Sequence, residues 1–152
     1  MTPKNFVVIL TIFASLMLTG CAFNQPDGVT DQSQELRETS WNVSGYDNGQ
    51  GTIMRINNSG QKMTAIFGAN GRVSGSSGCN SYSGDYTYSA ADQTLQLGRL
   101  MISAMLCMDE NIMQQEGHFI TALQTGNSYH ITGNTLTLKA ADGGTAVIFI
   151  RQ

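Results

Sequence analysis

The sequence has few charged residues and very few prolines. Only 12% of its 152 residues are charged, and 8 basic residues against 11 acidic ones give a formal net charge of −3. This balance provides neither a basic patch for nucleic acid nor an acidic run long enough for a disordered tail. Two prolines stand against 17 glycines, and 41% of the residues are hydrophobic. We therefore expect no nucleic-acid partner and one packed domain rich in turns and strands.

Motifs for catalysis, cofactors and metals are also scarce. The glycine-rich stretch 71–84 lacks the Gly-Lys-Ser/Thr ending of a P-loop, and the sequence has no Rossmann G-x-G-x-x-G. Neither Cys79 nor Cys107 has a second cysteine or histidine at zinc-ligand spacing. We expect no cofactor, no metal and no enzymatic activity. A cysteine-dependent enzyme, with His118 or His130 as the base, is the alternative.

The first twenty residues predict a lipoprotein signal peptide. Lys4 precedes an uncharged apolar run over residues 6–18, which has the length of a signal-peptide core and is short for a membrane span. The following Leu-Thr-Gly-Cys resembles the bacterial lipobox, whose cysteine accepts a diacylglycerol. The interpretation is a signal peptide over residues 1–20 and lipid attachment at Cys21. Because Ala22 replaces the aspartate that usually retains lipoproteins in the inner membrane, we expect the periplasmic face of the outer membrane.

The cysteine count agrees with export. With three cysteines in an exported protein, one has no disulfide partner. A lipid on Cys21 accounts for that unpaired cysteine. Cys79 and Cys107 then form an even pair in a compartment that favours disulfides. We predict that they are bonded to each other, with two free buried thiols as the alternative.

The rest of the chain predicts a flexible, lipid-anchored spacer and a mainly β domain. Residues 21–37 have almost no apolar periodicity, whereas the domain over residues 38–152 has many short alternating segments. The residues from Asp109, a candidate N-cap, to Gly126, a candidate C′ stop, have helical spacing. The fold class is therefore mainly β: a curled antiparallel sheet or small, partly open β-barrel, with one α-helix packed against it. Strands are predicted at 63–67, 72–74, 81–88, 94–97, 129–132, 136–138 and 146–150, the last apolar on both faces and hence central or covered on both sides.

One strand carries a candidate binding surface. Tyr82, Tyr86 and Tyr88 alternate with polar residues and share one face. Aromatic side chains are enriched at binding hot spots. Alternating aromatics in a strand also commonly belong to the core, and this alternative stays open.

Several motifs together resemble one family. The stretch 71–84 (GRVSGSSGCNSYSG) is similar to the glycine-rich "GCN" core of META domains, and Cys107 lies in a segment similar to that family's second cysteine motif. Glu116, Phe119 and Leu123 match its "E..F…L" helix, and Trp41 its opening strand. The resemblance extends over about residues 38–151 and is closest to heat-shock lipoproteins of the HslJ type. It implies a mainly β fold, an envelope location and a link to heat stress and novobiocin resistance, and it transfers no catalytic residue.

These observations favour a non-enzymatic envelope lipoprotein with a stress-linked role. It would act by binding or by envelope support, held in the outer membrane by its lipid anchor, with an unidentified envelope protein or small ligand as its partner. An inhibitor of a periplasmic or host hydrolase is the second hypothesis, because a rigid disulfide-pinned loop loses little entropy on binding.

Overall fold

The computed structural model describes residues 36–56 and 62–152. The predicted signal peptide, Cys21 and residues 22–35 of the predicted spacer lie outside the described residues. Leu36, which the prediction assigned to the spacer, is fully buried in the core, so the domain begins before residue 38. The described residues form ten strands and one helix, in the order β1 (Thr39–Asp47), β2 (Ile53–Arg55), β3 (Thr64–Phe67), β4 (Arg72–Ser76), β5 (Ser81–Ser89), β6 (Thr94–Leu97), β7 (Met101–Ile102), α1 (Glu110–Thr125), β8 (Gly126–Thr132), β9 (Thr135–Ala140) and β10 (Thr145–Arg151).

Eight of the strands close into an antiparallel barrel. The sheet runs β10-β9-β8-β6-β5-β4-β3-β1, and pairing of β1 with β10 joins its two ends. β2 adds to the second half of β1, and β7 adds to the start of β5. The predicted mainly β fold with one helix is confirmed, and the β1–β10 pairing closes the sheet that the sequence left partly open.

Close packing between strands explains two of the many glycines. A Cβ on Gly75 would lie 2.0 Å from the Thr64 carbonyl oxygen, and one on Gly84 would lie 3.0 Å from the Arg99 carbonyl oxygen. Backbones approach this closely where strands of a small barrel coil sharply. The glycine-rich stretch 71–84 is therefore a feature of barrel packing.

The position of the last strand in the sheet decides between two alternatives. β10 is central, because it pairs with β1 on one side and β9 on the other. Val147 and Phe149 point into the core, but Ile148 is half-buried and Ile150 is exposed. The prediction of a central strand is therefore confirmed, whereas the alternative, a strand covered on both faces, does not hold because Ile150 is open to solvent on the outer face of the barrel.

The helix begins as predicted and ends by a different mechanism. Asp109 caps it by accepting a hydrogen bond from the Asn111 N–H at 2.9 Å. The helix ends at Thr125, but Gly126 has φ of −57° and continues directly into β8. A Cβ there would lie 3.3 Å from Leu138 Cδ1, so close approach to the barrel, and not a left-handed C′ turn, accounts for this glycine. No helix among the described residues is long and apolar enough to cross a membrane.

The apolar face of α1 packs against side chains inside the barrel. Phe119 is fully buried, and its ring meets those of Tyr46 and Tyr82 edge-on at 6.3 and 5.9 Å between centroids. Such edge-to-face pairs add about 0.5–1.5 kcal/mol each to the burial of the rings. The helix is therefore part of the core, and it fixes the position of the segment that precedes it.

Candidate functional site

The three predicted tyrosines do not form a binding surface. Tyr82 and Tyr86 are only 2% and 4% exposed, and their hydroxyls donate hydrogen bonds to the carbonyls of Thr64 at 2.7 Å and Gly68 at 2.8 Å. Tyr88 is half-buried and stacks on Tyr86. The predicted surface is therefore wrong for Tyr82 and Tyr86, which face the barrel interior as the core alternative required. Alternation along a strand shows which side chains share a face of the sheet, but it does not show which face is enclosed.

Burial of Tyr82 predicts a loss of stability in alkali. Burial raises the pKa of its hydroxyl well above the ordinary value of 10. In the unfolded chain this hydroxyl ionises near pH 10, while in the folded chain it stays neutral, so the free energy of unfolding falls as pH rises above 10. Tyr82→Phe should cost about 1 kcal/mol at pH 8, through the lost hydrogen bond, and should make the decline above pH 10 shallower. Urea unfolding between pH 8 and 11 measures both; an unchanged slope would contradict the prediction.

The two domain cysteines are joined in the structure. A Cys79–Cys107 disulfide links the connection between β4 and β5 to the segment that precedes α1, with the two Cα atoms 6.1 Å apart. It is the first of the attachments that hold this segment against the barrel, which also include two hydrogen bonds between Ser103 and Ser81 at 3.0 and 3.1 Å.

The second attachment is the side chain of Asn80. Its carbonyl oxygen accepts hydrogen bonds from the Ser103 hydroxyl at 2.9 Å and the Met105 N–H at 2.8 Å. Its amide nitrogen donates to Glu116 in α1 at 2.9 Å. One buried side chain thus ties three parts of the chain together: the start of β5, the segment after β7, and the helix.

Buried polar partners complete this network. Glu116 is only 8% exposed, and its two carboxylate oxygens accept hydrogen bonds from the Ser77 hydroxyl and the Asn80 amide. The Ser77 N–H in turn donates to the backbone carbonyl oxygen of Asn80 at 2.8 Å. Each oxygen of the buried carboxylate therefore has a donor, as a charge removed from water requires. The sequence contained a signal for this, since Glu116 lies three residues before Phe119 on the apolar face of the helix.

The same groups do not form a metal centre while the disulfide is intact. The sulfurs of Cys79 and Cys107 and a carboxylate oxygen of Glu116 all lie within 4.8 Å of one another. Metal binding and nucleophilic attack both need a thiolate, which a disulfide sulfur is not. Among the described residues, neither cysteine has a hydrogen bond with His118 or His130. The arrangement is that of a structural clamp.

The clamp supports an exposed segment, residues 103–108, which we term the apolar loop. Leu106 is 91% exposed, Met108 is fully exposed, and Met105 is largely so. The segment forms neither helix nor strand, and it follows β7, where Met101 and Ile102 are also exposed. Exposed apolar patches of this kind mark interaction sites in soluble domains.

The two residues that flank Leu106 are both held. Met105 is fixed by its N–H on Asn80, and Cys107 by its bond to Cys79. The loop therefore presents a leucine at its apex from a backbone anchored immediately before and after it. The sequence did not single out this loop, because its attachments join segments that are far apart along the chain.

A cleft elsewhere on the barrel is the other candidate. It measures about 450 Å³ and lies between the β1–β2 connection, the end of α1 and the β9–β10 turn. Its two carboxylates serve their own turns: Asp142 accepts the Gly144 N–H at 2.8 Å, and Asp47 accepts the Gly51 N–H at 3.2 Å. These hydrogen bonds account for the position of both aspartates in the cleft without a ligand. We therefore take the apolar loop as the candidate site.

Three solved structures are similar to this fold. A protein from Burkholderia xenovorans, determined by NMR, has a TM-score of 0.65 and 26% sequence identity, with 99% of each chain covered. A second NMR structure has a TM-score of 0.57 and 22% identity, over 77% of this chain and 92% of that one. The crystal structure of a DUF4847 family protein from Bacteroides vulgatus has a TM-score of 0.54 and 16% identity, over 78% and 96%. The last two likenesses concern the fold alone.

The family comparison agrees with the motifs. None of the curated proteins matches the sequence. The META domain family model matches residues 34–152, which include all ten strands, the helix and the clamp. The match spans more than half of the sequence, and the resemblance of the glycine-rich core and the second cysteine motif is confirmed. The chain therefore belongs to the META domain family.

Proposed function

We propose that this protein is a non-enzymatic lipoprotein of the bacterial envelope that binds a partner protein through the apolar loop. The single observation that supports this role is the exposure of Leu106 between two anchored residues, Met105 and Cys107. The apolar surface of this side chain is removed from water only when another molecule covers it.

The energetics of the loop favour binding. Complete burial of one leucine or methionine side chain contributes about 1.5–3 kcal/mol. The flexible thioether of Met108 can adapt to an irregular surface. A loop already fixed by Asn80 and the disulfide loses little further conformational entropy when a partner closes over it.

The proposed location follows from the N-terminal sequence. A lipid on Cys21 would anchor the domain at the periplasmic face of the outer membrane, through the part of the predicted spacer that precedes the buried Leu36. For the 14 residues between Cys21 and Leu36, a flexible linker would have a root-mean-square span of roughly 19–22 Å. The domain would therefore work close to the membrane, and the family resemblance adds a role in heat stress and novobiocin resistance.

Replacing the proposed lipid-bearing residue tests the anchor. Cys21→Ser should move the protein from the membrane fraction to the soluble fraction, or leave it as an uncleaved precursor, because serine has no thiol to accept the diacylglycerol. Fractionation followed by mass spectrometry of the N-terminus distinguishes these outcomes. A mutant that stays in the membrane and is still cleaved after Gly20 would overturn the lipoprotein assignment.

Photo-crosslinking from the loop tests the binding role. A photoreactive amino acid replaces Leu106 in the full-length, membrane-anchored protein, and a matched control carries it at Ile150, which is exposed on β10 away from the loop. A discrete protein adduct from position 106 and none from position 150 is expected. The same adducts from both positions, or none from 106, would contradict the proposed site.

A further inference from the structure

The shape of the apolar loop identifies a class of partner, if the proposed function holds. We infer that residues 103–108 enter the active-site cleft of an endopeptidase with an apolar specificity pocket and that Leu106 occupies this pocket. The protein is then a reversible inhibitor that is bound as a substrate would be bound.

Accessibility is the first requirement, and the loop meets it. Endopeptidases bind chain segments that protrude from the surface of a fold far enough to enter a cleft. Residues 103–106 are all exposed and belong to no helix or strand. Leu106 therefore stands clear of the barrel, where a pocket could enclose it.

An open strand edge leads into the loop. Peptide segments commonly bind by adding a strand to the edge of a partner's sheet. β7 pairs with β5 through Ile102 and Met101, and the described strands supply no partner for its other edge. The chain thus enters the loop from a strand whose free backbone groups can pair with a peptidase.

The clamp explains why the bound segment would resist cleavage. Hydrolysis of the Leu106–Cys107 peptide bond would consume one water and leave a carboxylate on Leu106 and an amino group on Cys107. The new carboxylate end would stay fixed because the Met105 N–H donates to the Asn80 side chain. The new amino end would stay fixed through the disulfide from Cys107 to Cys79, which precedes Asn80 in the sequence. Because the two ends cannot diffuse apart, the reverse reaction, which releases the water, competes with loss of the complex.

The charge of the segment selects the class of peptidase. Residues 100–108 (LMISAMLCM) carry no charged side chain. A pocket built for lysine or arginine holds a buried carboxylate, which an apolar side chain would leave unpaired. The fitting enzyme has an apolar pocket, as chymotrypsin has, and differs from trypsin in this respect.

Inhibition assays with two probe enzymes test this inference. The purified lipidated protein is titrated against chymotrypsin and against trypsin, each with a small chromogenic substrate. We expect competitive inhibition of chymotrypsin only. Leu106→Ala should weaken it by about 10- to 100-fold, as loss of a buried leucine side chain predicts. Leu106→Arg should transfer inhibition to trypsin, whereas Met54→Ala, at an exposed position on β2, should change nothing.

Each contrary result overturns the inference. Absence of chymotrypsin inhibition would do so, as would rapid cleavage after Leu106 or equal inhibition by wild type and Leu106→Ala. Thermal melting of the variants verifies that they fold. Crosslinks from position 106 to a protein other than a peptidase would overturn the inhibitor role and leave the proposed binding function intact.

Discussion

Asn80→Ala is expected to destabilise the folded domain by about 3–4 kcal/mol. The substitution removes one hydrogen bond to a buried carboxylate and two to neutral donors, the Ser103 hydroxyl and the Met105 N–H. Bonds to charged groups contribute about 1.5–3 kcal/mol and neutral ones about 0.5–1.5 kcal/mol. Part of the cost comes from Glu116, which stays buried with one donor fewer. Urea unfolding measures the loss directly, and the melting temperature should fall by roughly 10–15 °C.

A surface asparagine provides the matched control for this prediction. Asn70 is exposed, and its side chain accepts one hydrogen bond, from the Arg72 N–H at 3.2 Å. Asn70→Ala should therefore cost less than about 1 kcal/mol. If both alanine variants unfold at similar urea concentrations, the buried network does not contribute as the structure indicates. A double variant with Glu116→Gln should be less destabilised than the sum of the single variants, since the two residues share a bond.

Loss of the disulfide is expected to have the second large effect. Replacing both Cys79 and Cys107 with alanine opens a loop whose ends are 28 residues apart in sequence. The chain-entropy model assigns such a loop about 3.6 kcal/mol, which corresponds to a fall in melting temperature of roughly 10–16 °C for a domain of this size. Calorimetry of the oxidised wild type, the reduced wild type and the double variant measures the effect.

The reduced wild type should melt close to the double variant. An unchanged melting temperature combined with a lost cellular phenotype would contradict the structural role of the bond. That result would instead favour the cysteine-dependent enzyme, because the two residues would then matter as thiols.

The elements that could be predicted from sequence are those with local signals. Alternating side chains located β5, and the spacing around Asp109 located the start of α1. Closure of the barrel had no such signal, because β1 and β10 lie at opposite ends of the domain and pair only in the folded chain. The residue patterns therefore indicated seven of the ten described strands but left the sheet open.

The site was harder to predict than the fold, for two physical reasons. Asn80, Ser103 and Glu116 come from three separate segments, and only their hydrogen bonds reveal that they act together. The apolar stretch that contains Leu106 also has the composition of a buried segment, yet its side chains lie in solvent. Tyr82 and Tyr86, whose residue type is common at binding sites, lie in the core. The apolar residues of the loop, whose types are common in cores, are exposed.

The central claim is that the clamp holds an exposed apolar loop in one conformation, and ¹⁵N relaxation of the oxidised protein tests it most directly. The backbone order parameters of Met105, Leu106 and Cys107 should be close to about 0.85, the value typical of rigid backbone, in spite of their exposure. In Asn80→Ala they should fall, while those of the central strand β10 stay high. Order parameters below about 0.6 for Leu106 in the wild type would show a flexible loop and contradict the claim.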